Sequence, residues 1–206
     1  MTGYKVVNLC ILIEELGEDR VKEILSDFSC PLNQDIEYFL SSKAIDFAKQ
    51  GWAQTHLVFG SYKDQWVLVG YFALANKHIR ISTTSLGKTG SQLRKRIKKF
   101  ATYYANVKSY ILSAPLIAQL GKNYAHNYNN LITGDEILAE ACNKIRRIQF
   151  ELGGKFAYLE CEDKPKLIDF YTRNGFCNFD TRPLDRDETD KLDGKYLVQM
   201  LKYIKK

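Results

Sequence analysis

The residues best placed to do chemistry lie at a helix start near the middle of the chain. Thr133 and Glu136 have the spacing of a capping box, in which each side chain hydrogen-bonds the backbone of the other residue. The first N–H groups of a helix have no partner within it, and the helix dipole makes this end positive. The pattern therefore predicts an anion site, and phosphate commonly binds there. An ordinary strand–loop–helix connection explains the same pattern equally well.

The elements on either side must position this helix start. Residues 111–120 are rich in Ile, Leu and Ala and predict a mostly buried strand. Residues 121–130 are almost entirely polar and predict an exposed loop. After Glu136, apolar residues recur at helical spacing until Gly153 and Gly154, which predicts a long amphipathic helix. A strand thus leads through a loop to the helix N-terminus.

This order of elements, followed by the segments FAYLECED and KPKLIDFYTRNGF, resembles the acetyl-CoA core of the GNAT superfamily of N-acetyltransferases. The most specific match is FYTRNGF, residues 170–176, which is similar to the family pattern FY-x-x-x-GF at the end of its last core helix. The glycine loop departs from the family pattern Q/R-x-x-G-x-G/A. Its best register, NNLITG at residues 129–134, keeps only the final glycine, Gly134.

A second segment is similar to one branch of the same family. Residues 28–59 resemble the N-terminal helix and strand of acetyltransferase toxins that modify aminoacyl-tRNA. The resemblance implies an α/β (α+β) fold, with a mixed, largely antiparallel central sheet whose middle strands splay apart, flanked by helices. It implies one acetyltransferase domain over residues 1–206, with an N-terminal helical segment over 1–50 and a basic helical insertion at about 88–105.

The resemblance also implies a reaction, the transfer of an acetyl group from acetyl-CoA to a primary amine. Such a reaction needs an acid that protonates the departing CoA thiolate and donors that stabilise the tetrahedral oxyanion. The resemblance assigns the acid to Tyr171, and Glu160 and Glu162 are general-base candidates. The alternatives are core packing for Tyr171 and a surface position for either carboxylate.

The resemblance further implies where acetyl-CoA binds. Backbone groups of Leu120, Gly121 and Lys122 would hydrogen-bond the pantetheine arm in the manner of a neighbouring strand. Asp163 stands where many relatives carry an Asn, and an ionised Asp cannot donate a hydrogen bond. No metal is implied. The remaining residues assigned to the cosubstrate are Asn129, Asn130, Leu131, Ile132, Thr133, Gly134, Asp135 and Lys166.

A run of cations predicts a contact with RNA. Within a predicted helix over 91–104, six consecutive positions hold five cations and no acid: Arg94, Lys95, Arg96, Lys98 and Lys99. Such a density attracts a phosphate backbone, and Tyr103 and Tyr104 follow closely enough to stack on exposed bases. A solvated helix face is the more usual explanation for a charge run.

Composition limits the remaining choices. The chain has 206 residues, of which 45% are hydrophobic and 26% charged, and its net charge is +6; these are globular values that mildly favour polyanionic partners. No apolar run approaches the roughly 20 residues of a membrane helix, and no signal peptide opens the chain, which predicts a cytoplasmic protein without membrane contact. The five cysteines lack metal-site spacing and are predicted to be thiols.

The sequence leaves the acceptor open. An amine on aminoacyl-tRNA is the leading interpretation, because residues 28–59 and the basic run agree, and a small-molecule or protein amine is the alternative. A non-catalytic regulator with a CoA-binding fold and a plain RNA-binding module are the alternatives from other functional classes. Assembly as a homodimer is also left open.

Overall fold

The computed structural model describes residues 3–186, 188–189, 192 and 194–205, and this part of the chain contains both strands and helices. The strands are β1 (Tyr4–Asn8), β2 (Gln54–Tyr62), β3 (Gln65–Ser82), β4 (Thr102–Tyr104), β5 (Ser109–Lys122), β6 (Phe156–Glu162), β7 (Cys177–Pro183) and β8 (Tyr196–Tyr203). The helices are α1 (Leu9–Leu16), α2 (Glu18–Ser26), α3 (Gln34–Ser42), α4 (Ala44–Lys49), α5 (Thr83–Lys88), α6 (Ser91–Phe100), α7 (Gly134–Leu152) and α8 (Pro165–Arg173), with 3-10 turns at Ala105–Val107 and Ala125–Asn130.

The strands form a mixed sheet in the order β1-β2-β3-β5-β6-β8-β7, with β4 paired to β5. The pairs β1–β2, β2–β3, β4–β5, β6–β8 and β7–β8 are antiparallel. β5 and β6 are parallel, with Leu116 opposite Tyr158. This arrangement confirms the predicted fold class of a mixed, largely antiparallel sheet accompanied by helices.

The chain divides into two compact units, and the first comprises residues up to Ala75 together with Ile117–Asn143. Its core joins α1 to α4 to the strands of this unit, and the fully buried Tyr71 lies within it. The Tyr71 hydroxyl donates to the Ile36 carbonyl oxygen at 2.7 Å, and its ring packs against Phe28 and Phe39. A buried phenol whose hydroxyl is hydrogen-bonded is a residue of the core.

The second unit comprises Asn76–Leu116 and the residues from Lys144 onward. Leu93 and Ile97 project from α6 at helical spacing into a core that also contains Phe156, Tyr158 and Leu201. Because these positions lie four apart on one face of α6, the helix packs against the sheet through that face and leaves its other faces accessible.

Strand β3 runs without interruption from Gln65 to Ser82. A break at Lys43, whose backbone leaves the helical region with φ −124°, separates α3 from α4. One expectation about local structure was wrong. The basic helix predicted over 91–104 ends at Phe100, since Thr102–Tyr104 pairs with Ser109–Ile111 as a strand. β-branched and aromatic residues favour that strand.

None of the helices in the described part of the chain combines the length and apolar character that crossing a bilayer requires.

Candidate active site

The predicted capping box is formed at the start of α7, in the first unit. The backbone N–H of Thr133 donates to Glu136 Oε2 at 2.8 Å, and the backbone N–H of Glu136 donates to Thr133 Oγ1 at 3.2 Å. The Thr133 hydroxyl adds a third contact to Glu136 Oε2 at 2.7 Å. The residues at the helix start therefore adopt the reciprocal arrangement that the sequence predicts.

Glu136 places a negative charge at this helix end. The hydrogen bond from the Thr133 backbone, with that of the Thr133 hydroxyl, holds the pKa of Glu136 below its usual value. The Tyr4 hydroxyl also lies 3.1 Å from Glu136 Oε1, and Asp135 is a second acid in the first turn. An anionic ligand here would meet the positive helix end and two carboxylates together.

The loop before α7 is held by Asn123, which sequence reasoning missed. Its side chain is fully buried, and Oδ1 accepts from the backbone N–H groups of Ser29 and Ala125, both at 3.0 Å. Its Nδ2 donates to the carbonyl oxygens of Asp27 at 3.0 Å and Leu68 at 2.8 Å. All the hydrogen-bonding groups of this amide are used, so Asn123 fixes the path of the chain as it leaves β5.

The residues assigned to the cosubstrate in this unit differ in accessibility. Ile132 is buried, whereas Asn130 and Thr133 are exposed and Leu131, Gly134 and Asp135 are partly exposed. Asn129 Nδ2 donates to Asn130 Oδ1 at 3.3 Å. Before them, His126 and Asn127 both have left-handed backbones, with φ of 51° and 60°. The loop therefore makes a tight, exposed turn before α7 begins.

The backbone of β5 passes close to α3 at Gly121. A Cβ atom on Gly121 would lie 2.4 Å from Ile36 Cγ2, so this position tolerates no side chain without movement. On either side, Leu120 and Lys122 are partly buried, and Lys122 Nζ lies 5.9 Å from the centre of the Tyr124 ring. Lys122 is the cation that this segment offers to an anionic ligand.

Tyr171 lies on α8, in the second unit. Pro165 begins this helix and Gly175, with φ +84°, follows its end, and these are positions that Pro and Gly favour. The Tyr171 side chain is partly buried, and its ring packs against Phe170 and Phe176, with ring centres 4.9 and 6.0 Å away.

The same environment determines the protonation of Tyr171. Burial raises the pKa of the phenol well above its ordinary value, and a negative Cys161 would raise it further. Burial also raises the pKa of the Cys161 thiol, to about 11, so Cys161 is uncharged at neutral pH and adds little there. Tyr171 therefore keeps its proton at neutral pH and has the protonation state that an acid requires.

Glu160 is engaged in an ion-paired network on β6. Its Oε2 accepts from Arg182 Nη2 at 2.7 Å, its Oε1 accepts from the Tyr158 hydroxyl, and 9% of its side chain is exposed. Burial would raise the pKa of Glu160, but the hydrogen bonds from Arg182 and Tyr158 outweigh burial and lower it. Arg182 also forms two bonds of 2.7 Å to Glu188. These contacts favour a structural role for Glu160 over that of a base.

The other residues assigned in the second unit lie around the end of β6. Glu162 pairs with Lys164 at 2.8 Å. The Tyr196 hydroxyl donates to Asp163 Oδ2 at 3.1 Å, and Lys166 is exposed on the first turn of α8. A cavity of about 240 Å³ adjoins Asp163, Lys164 and Tyr196, with Gly194 and Lys195 completing its lining. Among the described residues, His, Cys, Asp and Glu side chains form no group of three or more suited to hold a metal ion.

No family model matches the sequence, and no curated protein matches it. Solved structures do match. AtaT complexed with acetyl-methionyl-tRNAfMet has a TM-score of 0.61 at 12% identity, over 95% of this chain and 93% of that one. A Tyr-to-Phe mutant of KacT has a TM-score of 0.60 at 13% identity, over 96% and 94%. A Tyr-to-Phe mutant of the AtaT toxin bound to the C-terminus of the antitoxin AtaR and acetyl-CoA has a TM-score of 0.56 at 12% identity, over 96% and 92%. The predicted resemblance is thereby confirmed at the level of the fold, and this chain has the fold of AtaT and KacT.

Proposed function

We propose that this protein is an N-acetyltransferase that moves an acetyl group from acetyl-CoA to the amine of an aminoacyl-tRNA. The observation that carries the proposal is the likeness of fold over nearly the whole chain to AtaT. AtaT structures are described as complexes with acetyl-methionyl-tRNA and with acetyl-CoA. The two ligands of AtaT are the product and the donor of such a reaction.

In the proposed reaction, the uncharged amine attacks the thioester carbonyl carbon of acetyl-CoA. The carbon–sulfur bond then breaks, the acetyl group stays on nitrogen, and the sulfur leaves as a thiolate that takes a proton from Tyr171. The environment of Tyr171 supports this role because its phenol is protonated at neutral pH. Its raised pKa also makes it a weaker acid than an ordinary phenol, so the proton moves only as the carbon–sulfur bond breaks and negative charge develops on the sulfur.

The amine must lose a proton in the same reaction. Glu160 is poorly suited to accept it, since Arg182 and Tyr158 occupy both of its oxygens. We retain Glu162 as the general-base candidate, acting directly or through water. Its ion pair with Lys164 involves an exposed lysine, which a substrate can displace at little cost.

The residues of the first unit offer the types of group that acetyl-CoA requires. Backbone groups of Leu120, Gly121 and Lys122 would bind the pantetheine arm, and the helix start at Gly134 would face the phosphates with Lys122 as a nearby cation. The side-chain amides of Asn129 and Asn130 are further donors. Asp163 and Lys166 are the remaining residues that we assign to acetyl-CoA. Asp135 and Glu136 oppose the phosphates, so we expect a modest affinity.

The acceptor proposal includes contact with RNA. The five cations assigned to that contact are Arg94, Lys95, Arg96, Lys98 and Lys99. All five lie on α6, and three of them, the lysines, are exposed. An aminoacyl-tRNA acceptor needs such a surface, whereas a small-molecule amine does not.

One observation favours a second function, a non-catalytic regulator with a CoA-binding fold. The capping box already satisfies the start of α7 with the charge of Glu136, and the glycine pattern is reduced to Gly134. A protein of this class either binds acetyl-CoA or has lost the ability to bind it, and in both cases it transfers no acetyl group.

Two measurements separate these functions. Calorimetric titration with acetyl-CoA, with ATP as the control ligand, reports cosubstrate binding. Incubation of the protein with radiolabelled acetyl-CoA and a set of aminoacyl-tRNAs then reports acetyl transfer, with uncharged tRNA and free amino acids as acceptor controls. Label on aminoacyl-tRNA supports the proposal, whereas binding of acetyl-CoA without transfer to any amine supports the regulator.

The Tyr171→Phe variant tests the acid. We expect kcat to fall by roughly 10²- to 10⁴-fold with unchanged acetyl-CoA affinity, because only proton donation is lost. Tyr203→Phe makes the same chemical change on β8 in the same unit and should leave turnover intact. Equal activity of the two variants would remove Tyr171 from the mechanism.

A further inference from the structure

The charges of this chain are strongly segregated along the sequence. Residues 65–134 contain ten Lys and Arg residues and no Asp or Glu. The rest of the chain holds 20 cations and 24 acids, so it is net negative although the whole chain carries +6. Nine of the ten cations lie in residues 76–116, the part of this segment that belongs to the second unit. A segment so free of acids is an electrostatic footprint for a polyanion.

Within α6 the cations fall into two groups. Arg94 and Arg96 flank the buried face and are used by the fold: Arg94 Nη2 donates to the carbonyl oxygens of Gly87 at 2.6 Å and Thr89 at 2.9 Å, and the Arg96 guanidinium lies 4.2 Å from the centre of the Tyr203 ring.

The second group consists of Lys95, Lys98 and Lys99. Their spacing of three and four residues puts them on one face, opposite Leu93 and Ile97. All three are exposed, and no carboxylate among the described residues pairs with them. These lysines are therefore available to bind phosphate groups.

An aromatic pair follows this helix directly. Tyr103 on β4 lies opposite Tyr110 on β5, so both side chains project from the same face of the hairpin. The two ring centres are 4.9 Å apart, Tyr110 packs against the core of the unit, and 47% of Tyr103 is exposed. Tyr110 thus supports Tyr103, whose ring remains accessible. Lys108, an exposed residue, lies in the turn of the same hairpin.

We propose that this α6–hairpin surface, consisting of Lys95, Lys98, Lys99, Tyr103, Lys108 and Tyr110, binds unpaired nucleotides of RNA. Lysines along one face hold the phosphate backbone, and the supported Tyr103 ring stacks on a base. A stacked base must present its face, which bases inside a duplex do not. An acidic protein would use the lysines but gain nothing from Tyr103. The identification of the nucleic acid as RNA rests on the proposed function; the binding itself does not require acetyl-CoA.

The test is a fluorescence anisotropy titration without acetyl-CoA. The probe is a labelled RNA of about 12 alternating A and C nucleotides, which cannot base-pair and spans a single binding surface. Four lysine–phosphate contacts predict a slope of log affinity against log salt of about −3, so affinity should fall by about 50-fold between 50 and 200 mM salt. A duplex of the same length should bind more weakly than the single strand at equal salt.

Two sets of variants separate charge from stacking. The triple variant Lys95→Gln, Lys98→Gln and Lys99→Gln should reduce the slope by about 2. Tyr103→Ala should weaken binding by roughly 5- to 150-fold without changing the slope, and Tyr103→Phe should restore binding because it keeps the ring. The matched controls are the triple variant Lys5→Gln, Lys43→Gln and Lys63→Gln and the single variant Tyr38→Ala. These change two exposed lysines, one partly exposed lysine and an exposed tyrosine in the first unit.

Several results would overturn the proposal. These are an unchanged slope in the α6 triple variant, equal binding by Tyr103→Ala and the wild type, equal binding of duplex and single strand, or equally tight binding of polyglutamate. The last would indicate an acidic protein partner. Thermal melts of each variant establish that it is folded. RNA binding with no acetyl transfer would leave this proposal standing and refute the proposed function, whereas transfer with no RNA binding would do the reverse.

Discussion

Replacing Glu160 by Gln distinguishes a structural carboxylate from a general base. The two side chains have the same shape, so the change removes the charge without creating a cavity. If Glu160 is the general base, the substitution removes the group that accepts the proton of the amine, and kcat should fall by roughly 10²- to 10⁴-fold. If Glu160 serves instead as the structural partner of Arg182, the protein should lose stability, and turnover measured well below the melting temperature should be nearly unchanged. We expect the second result.

The size of the stability loss follows from the contacts of Glu160. Arg182 Nη2 and the Tyr158 hydroxyl both donate to this carboxylate, and Gln199 Nε2 donates to the Tyr158 hydroxyl at 2.6 Å. A Gln amide can accept from only one side, so either orientation leaves one buried donor without an acceptor. That costs about 2 kcal/mol, which lowers the melting temperature by about 4–8 °C for a chain of this length.

The loss should depend on pH with a defined sign. The pKa of Glu160 is lowered in the folded state, so its charge stabilises the fold fully above the unfolded-state pKa of about 4.3. This stabilisation disappears as the pH falls through the lower folded-state pKa. Calorimetric melts should therefore show the full difference between Glu160→Gln and the wild type at pH 7 and a smaller one in acid.

A matched control is Asp169→Asn, which removes a carboxylate whose side chain is 76% exposed and 3.6 Å from Arg173. We expect its melting temperature to change by less than about 2 °C, since exposed pairs contribute little. The reasoning is refuted if Glu160→Gln melts like the wild type at pH 7. It is also refuted if this variant loses activity by a hundredfold while remaining fully folded.

Three further predictions concern the first unit. Asn123→Ala should lower the free energy of unfolding by about 4 kcal/mol in urea titrations, because four backbone groups lose their buried partner, and a loss below 1 kcal/mol would contradict this. Gly121→Ala should cost about 1–3 kcal/mol and the cost should shrink in an Ile36→Ala background, since the new Cβ meets Ile36; additive losses in the double variant would exclude the clash. Glu136→Gln should tighten acetyl-CoA binding by about fivefold at low salt and less at high salt in calorimetry, because Gln can keep the cap without the charge; weaker binding would show that the cap itself holds the ligand.

The sequence predicts well those features that depend on neighbouring residues. The capping box at Thr133 and Glu136 was expected, and the structure contains it. The start of α8 at Pro165 and the left-handed Gly175 after it follow equally local preferences of Pro and Gly. Each involves groups within four residues of one another, so residue type and spacing are sufficient to specify the geometry.

Features that depend on distant residues could not be predicted. Three of the four partners of the Asn123 side chain lie 55 to 96 positions away, and Arg182 reaches Glu160 across 22 positions. Nothing in the local pattern distinguishes Asn123 from the other asparagines of its loop. Glu160 was a general-base candidate from the sequence, but only the fold reveals that both of its oxygens already have donors.

The start of α7 shows why a local pattern that forms as expected can still leave function open. A capping box supplies the helix end with a carboxylate and thereby removes much of the need for an anionic ligand. An enzyme of the proposed kind must then hold the phosphates of acetyl-CoA mainly through backbone groups and Lys122, against Glu136 and Asp135. That arrangement favours weak binding and easy release of CoA, which suits turnover if acetyl-CoA is abundant. It equally suits a protein that has stopped using acetyl-CoA. The measured affinity for acetyl-CoA, together with the measured turnover, therefore distinguishes the acetyltransferase from the non-catalytic regulator.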